Sequence, residues 1–193
     1  GRGLLESLQT DAGFDPAGRS IAVIGAGGAA GAAVTACILA RAGRITVVNR
    51  DAGRAESLLD RVSGSLRSIA AEALPLEPSA AGSVREADLI INATPVGMAA
   101  DDPSPIPGEW MREGQLVYDM VYQRSGTALA EAAHSAGARA VTGLGMLVAQ
   151  GALAIDIWMG DANGQTRAPR DVMRAAAAAE LAGQAAATDG GSL

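Results

Sequence analysis

"SIAVIGAGGAAGAAVTACILA", residues 20–40, begins as an unbroken apolar run of strand length and passes through three glycines into a small-residue stretch suited to a helix. The pattern predicts a strand over Ser20–Gly25 and a helix over Gly28–Ala42. An apolar run without period-2 alternation belongs to a strand covered on both faces, the signature of a parallel sheet between layers of helices. The alternation continues outward from this unit. Strands are predicted at Ile45–Val48, within residues 66–76, at Leu89–Asn92, Leu116–Met120 and Arg139–Val141. Helices are predicted at Ala52–Val62, Thr127–Ala136, Leu144–Met159 and Arg170–Ala182. A short amphipathic helix over Gly3–Ala12 precedes the first strand, "LEPSAAGSV" (76–84) is expected as loop, and "GQAAATDGGSL" (183–193) as a flexible end. Strands alternating with helices imply an α/β fold with a doubly wound parallel sheet.

Composition narrows the function classes. With 193 residues, 49% of them hydrophobic, the chain suits one well-packed domain. Twenty-one acidic against 15 basic residues give a net charge of −6, which provides no footprint for nucleic acid or anionic lipid and favours small-molecule chemistry. Cys37 and His134 are the only residues of their kinds, so neither a disulfide framework nor a Cys/His zinc cluster is expected. The longest apolar stretch, Ala29 to Ala40, falls short of the roughly 20 residues that span a bilayer. No signal-peptide pattern opens the chain, and the expectation is a soluble, cytoplasmic protein. Every basic residue is an arginine; there is no lysine.

The turn after the first strand carries chemistry. Gly25, Gly27 and Ala30 satisfy the pattern G-x-G-x-x-G/A, in which glycines make a tight turn and let a pyrophosphate approach the backbone at a helix N-terminus. A plain strand-to-helix turn also favours Gly and Ala, so the second strand is the sharper test. It runs into "NRDAGR" (49–54). Where a dinucleotide-binding domain for NAD places an acidic residue to hold the ribose, Asn49 and Arg50 stand here, and Arg54 follows one helical turn later. Two guanidinium groups at that position suit the dianionic 2′-phosphate of NADP; the plainer alternative is a pair of solvated surface charges. Asp51 between them is repulsive toward a phosphate but is a good helix N-cap.

Three more segments emerge at the carboxyl ends of strands, where open α/β sheets bind ligands: "NATPVGM" (92–98), "DMVY" (119–122) and "TGLGM" (142–146). Gln150 lies at i, i+3, i+4 spacing with Met146 and Leu147 on an apolar helix, and is expected buried, either on backbone partners or on substrate hydroxyls. Tyr122 carries the same two alternatives. Trp110, Trp158 and Phe14 are expected as packing anchors, and His134 as a solvated residue.

Taken in order and spacing, "GAGGAAGAA", "NRDAGRA", "DLIINATPVGM", "VYDMVY" and "GLGMLVAQGALAIDIWMG" resemble the shikimate dehydrogenases, including the quinate/shikimate dehydrogenases, over about residues 1–160. The resemblance implies a Rossmann-type, NADP-linked domain of an enzyme that reduces 3-dehydroshikimate to shikimate in aromatic amino-acid biosynthesis. It implies that Gly25, Ala26, Gly27, Gly28 and Ala29 hold the pyrophosphate and that Asn49, Arg50 and Arg54 grip the 2′-phosphate. Thr94, Met120 and Gly143 then border the cofactor, and Tyr122 and Gln150 face the substrate. The family usually has threonine or serine at the position of Asp51, which keeps an NAD- or quinate-preferring relative as an alternative. The family's catalytic lysine and aspartate lie in an N-terminal substrate domain and in the N-T-D-G segment that follows it. The opening "GRGLLESL" continues from that segment, so no catalytic residue is expected in this chain. The implied layout is a connecting helix and loop over 1–18, the NADP-binding domain over 19–160, and a C-terminal helix and tail over 161–193, with the substrate domain as the missing partner. A homodimer and a standalone, non-catalytic NADP-binding module are further alternatives.

Overall fold

Each inner strand is apolar on both sides because the sheet has two covered faces. In the computed structural model, which describes residues 1–65, 69–123, 126–160 and 167–188, Ile21 and Val23 of β1 (Ser20–Ile24) enter one core, and Ala22 and Ile24 the other. The remaining strands are β2 (Arg44–Asn49), β3 (Ala70–Pro75), β4 (Leu89–Asn92), β5 (Leu116–Asp119) and β6 (Arg139–Thr142). All five neighbouring pairs are parallel, in the order β3-β2-β1-β4-β5-β6. The chain walks outward from β1 in one direction, returns to the other side of β1 and walks outward again. That reversal makes the fold doubly wound and leaves a crevice between the carboxyl ends of β1 and β4.

The helices are α1 (Arg2–Ala12), α2 (Gly28–Leu39), α3 (Ala52–Val62), α4 (Ala81–Glu86), α5 (Ala128–Ser135), α6 (Leu144–Trp158) and α7 (Arg170–Thr188). One core gathers Leu4 and Leu8 of α1, Ala33 and Cys37 of α2, and Leu58 of α3 against the sheet. The other gathers Val84 of α4, Trp110, and Leu129 and Ala133 of α5. Small residues let α2 lie close to the strands, and Asp51 caps α3 by accepting the Arg54 backbone N–H at 3.3 Å.

The predicted elements are found, with four main differences. Residues 76–84 hold a 3-10 turn over Pro78–Ala80 and the short α4 instead of loop only; six residues are too few to show a helical period. The helix α2 stops at Leu39, ahead of Arg41, which adopts a left-handed φ of 60°. The final helix runs to Thr188, past the predicted Ala182, because the alanines on either side of Gly183 sustain it; residues 189–193 lie outside the described part. The third strand is β3, and residues 66–68 of its predicted range are outside the described residues.

The fourth difference concerns the faces of α6. Its buried residues are Gly145, Val148, Ala149 and Ala152, so Gln150 is exposed, beside Gly3 of α1, and not buried. A helix apolar nearly all round has no periodic signal to orient it, and close contact selected the small residues. Trp158, at the end of α6, is 81% exposed and is not a packing anchor among the described residues; Trp110 is buried, Phe14 packs against the first core and His134 is exposed.

The last helix is fastened to the first and sixth. Arg170 pairs with Glu6 at 2.6 Å and with Asp156 at 2.9 Å, and Arg174 pairs with Asp11 at 2.8 Å. Asp11 also accepts from Ser7 Oγ, which is 2.7 Å from the buried Tyr118 hydroxyl on β5. A polar chain thus runs from α7 through α1 to the sheet.

Candidate cofactor site at the carboxyl edge of the sheet

The crevice at the sheet reversal is built from backbone before side chains enter. Gly25 leaves β1 with φ of 111°, and its N–H donates to Val48 O at 2.8 Å, which ties the turn to β2. A β-carbon at Gly25 would be strained by this φ and would come within 3.0 Å of Thr94 Cγ2 and 3.1 Å of Ala93 O. Gly27 precedes α2 without a side-chain cap, and β-carbons at residues 27 and 28 would meet nothing within 4 Å. The turn into α2 is therefore open beside residues 27 and 28, with no side-chain cap and no acidic residue in the first turn, an arrangement suited to an anion at a helix N-terminus.

Two clefts flank this loop. One, of about 430 Å³, has Gly25, Ala26, Asn49, Arg50 and Arg54 among its lining residues. The other, of about 520 Å³, is lined by Gly28, Ala29, Met120, Val121 and Tyr122 among others. Gly27, Ala93, Thr94 and Pro95 line both, so the two form one groove across the sheet edge. Among the described residues neither Arg50 nor Arg54 is in an ion pair, and both are exposed at the groove's end. Asp51 points its carboxylate at the first turn of α3, and Asn49 Nδ2 donates to Asp51 O at 2.9 Å.

The structure thus gathers Gly25–Ala29, Asn49, Arg50, Arg54, Thr94, Met120 and Tyr122 around one groove. Gly143 and Gln150 are not lining residues. Gly143 stands behind Met120, where a β-carbon would overlap the Met120 carbonyl oxygen, so this glycine lets the turn into α6 press against the loop after β5. Tyr122 is 40% exposed, with its ring toward the cleft that Met120 also lines.

Behind the wall lies a set of buried polar residues. Asn92 and Asp119 end adjacent strands in register, and Asn92 Nδ2 donates to Asp119 Oδ1 at 2.8 Å and to Val96 O at 3.1 Å. The backbone N–H and hydroxyl of Thr94 both donate to Asn92 Oδ1, at 3.0 and 2.7 Å. Thr127 Oγ1 donates to Asp119 Oδ2 at 2.6 Å and accepts the Ala130 N–H as the cap of α5. Burial raises the pKa of Asp119, and the hydrogen bonds from Thr127, Asn92 and Val121 oppose that rise. The loop between β4 and the next turn is closed by Asp102, whose carboxylate accepts from Gly97 N and Ala99 N; these bonds hold its pKa below the ordinary value.

The model of the family described as "Shikimate / quinate 5-dehydrogenase" matches residues 8–99, the stretch that contains β1 to β4, the glycine loop and both arginines. A protein from Citrifermentans bemidjiense named shikimate dehydrogenase (NADP(+)) is 44% identical over 165 residues, which is 83% of this chain. The chain belongs to the shikimate dehydrogenase family.

A second member, from Methanopyrus kandleri and of the same name, is 39% identical over 179 residues, or 91% of this chain. A crystal structure of the shikimate dehydrogenase from Thermus thermophilus, solved with NADP(H) and shikimate, superposes with a TM-score of 0.74 at 34% identity; the match covers 91% of this chain and 60% of that one. The chain spans 56% and 60% of the lengths of the two curated members. Four of the five motifs that carry the family likeness contribute lining residues to the groove; "GLGMLVAQGALAIDIWMG" does not. Asn92 and Thr127, which shape it from beneath, were not singled out by sequence reasoning. The signal for Asn92 is that "DLIIN", like "LVYD" at Asp119, ends an apolar strand on a polar side chain, which at a buried position needs a partner.

Proposed function

We propose that this chain is the cofactor-binding domain of an NADP-dependent shikimate dehydrogenase. The observation that carries the reading is the groove with two unpaired arginines at one end, a bare helix N-terminus in the middle and an uncharged wall at the other. These residues fit a phosphorylated dinucleotide. The backbone N–H groups of the glycine loop, Gly25 to Ala29, would take the pyrophosphate. Arg50 and Arg54, with Asn49 steadying the loop, would take the 2′-phosphate, each charge-assisted bond contributing about 1.5–3 kcal/mol before solvent screening. Met120, Val121 and Tyr122 would form the wall for the ring, with Thr94 and Pro95 opposite; Gly143 would act from behind Met120.

When bound, the cofactor supplies a hydride to the carbonyl carbon of 3-dehydroshikimate, while the carbonyl oxygen gains a proton. The residues of this chain orient the ring and exclude water from it; Tyr122 and Gln150 would meet the substrate hydroxyls from the open side. Gln150 reaches that role as an exposed side chain, free to take a ligand instead of satisfying a core. The proton is assigned to the lysine-bearing substrate domain that the family likeness implies, since these 193 residues include no lysine. The second reading, an NAD- or quinate-preferring relative, is favoured by Asp51 beside Arg50, against which stands the engagement of its carboxylate as the cap of α3. Calorimetric titration with NADP and NAD decides between them. Tighter binding of NADP is the expected result; equal affinities or tighter NAD would reject the 2′-phosphate assignment.

A further inference from the structure

The groove is chemically divided. Its Arg50 and Arg54 end is cationic, whereas the cleft bordered by Met120, Val121 and Tyr122 has no charged side chain on its surface. Beneath that uncharged wall sits Asp119, 1% exposed. All three of its described partners are donors: Asn92 Nδ2 at 2.8 Å, Val121 N at 3.1 Å and Thr127 Oγ1 at 2.6 Å. Thr127 Oγ1 also accepts the Ala130 N–H as the cap of α5. Asn92 Nδ2 and the Val121 N–H can only donate, and Thr127 could accept a proton from Asp119 only by turning its own proton away from the carboxylate, so the surroundings favour the ionised form.

Among the described residues no arginine, histidine or amino terminus lies within ion-pair distance of Asp119. A buried carboxylate without a counter-ion is costly, and burial pushes its pKa upward in this structure too. A neutral asparagine could span the same partners without that cost. Among the described residues nothing compensates this charge, and the uncharged cleft lined by Met120, Val121 and Tyr122 is where a ligand can bring a positive group.

We propose that Asp119 sets the redox preference of the site: its buried carboxylate favours the cationic, oxidised nicotinamide over the neutral, reduced one at the Met120–Tyr122 end of the groove. The proposal rests on the dinucleotide reading above and adds to it a preference between the two forms of one cofactor. Removing one unit charge about 12 Å from another, at an effective dielectric constant of about 20, corresponds to roughly a tenfold change in affinity.

The test is calorimetric titration of the 193-residue chain and its Asp119→Asn variant with NADP⁺, NADPH and adenosine 2′,5′-bisphosphate, which carries the 2′-phosphate but no nicotinamide. The wild type should bind NADP⁺ more tightly than NADPH. The variant should lose about five- to tenfold in NADP⁺ affinity, with NADPH and the bisphosphate within twofold of wild type. Equal losses for both nicotinamide forms, or a loss for the bisphosphate, would mark Asp119 as a purely structural residue and overturn the proposal. If the variant does not fold, the wild-type ratio decides, and tighter NADPH binding overturns it. Binding of the bisphosphate with no preference between the redox forms sinks this proposal alone; failure of the wild type to bind any of the three removes the dinucleotide reading with it.

Discussion

Arg50 and Arg54 stand where β2 hands over to α3, one helical turn apart, and both face the end of the groove. Because they are exposed, each contributes less than a buried cation would, and Arg50→Ala or Arg54→Ala should weaken NADP binding by roughly tenfold while leaving NAD within about twofold. Titration of the two variants with both cofactors checks this; equal losses for NADP and NAD would mean that the arginines support the fold and not the phosphate. Asp51 is tied to the same turn by its cap to the Arg54 N–H. Asp51→Ala should cost about 1 kcal/mol of stability and leave NADP affinity unchanged or higher, since a cap is lost and a repulsive charge goes with it. The arginines were legible in the sequence because a strand end fixes the register of the residues just beyond it. Gln150 was not, because an all-apolar helix can turn any face to the sheet, and the neighbours that decided the matter, Gly3 and α1, are remote in sequence.

At the scale of elements, the sheet and its outer helices are joined by Tyr118 of β5, Ser7 and Asp11 of α1, and Arg174 of α7. Burial pushes the Tyr118 hydroxyl up from 10.0 to about 12, so the folded state prefers the neutral phenol more strongly than the unfolded chain does. That preference contributes stability in full below pH 10 and loses it as pH rises from 10 through about 12. Denaturant unfolding at a series of alkaline pH values should show wild type losing stability across that window, and Tyr118→Phe losing less. Parallel curves for the two proteins would show that another group carries the alkaline transition. At the acidic end, Asp156 has its pKa lowered by the Ala168 N–H and then by Arg170, so its contribution is present above the unfolded carboxylate range and is lost as pH falls through the folded value. The strands were legible as apolar runs, and α4 was not, since one and a half turns show no period.

For the whole molecule, the proposed reading gives the groove cofactor binding on one side and assigns the substrate-bearing surface to a further domain. We expect the 193-residue chain to bind NADP but not to form NADPH when shikimate is added, because positioning and proton transfer each contribute several orders of magnitude. Fusion to a lysine-bearing substrate domain of the family should restore shikimate-dependent NADPH formation, measured by absorbance; robust turnover by the chain alone would require an acid/base group among its own residues, with Tyr122 and Asp119 the first to replace. None of the helices among the described residues is long and apolar enough to cross a membrane. The alternation of strand and helix, the glycine turn after β1 and the arginines after β2 are all readable along the chain, because each is set by local pattern and by spacing. The strand order that places β4 beside β1, the face that α6 buries, and the meeting of Asn92, Asp119 and Thr127 beneath the groove come from the folded arrangement alone. Those depend on contacts between segments far apart in the chain, where the closest fit of backbone and the need to pair every buried polar group select among arrangements that local pattern leaves equal.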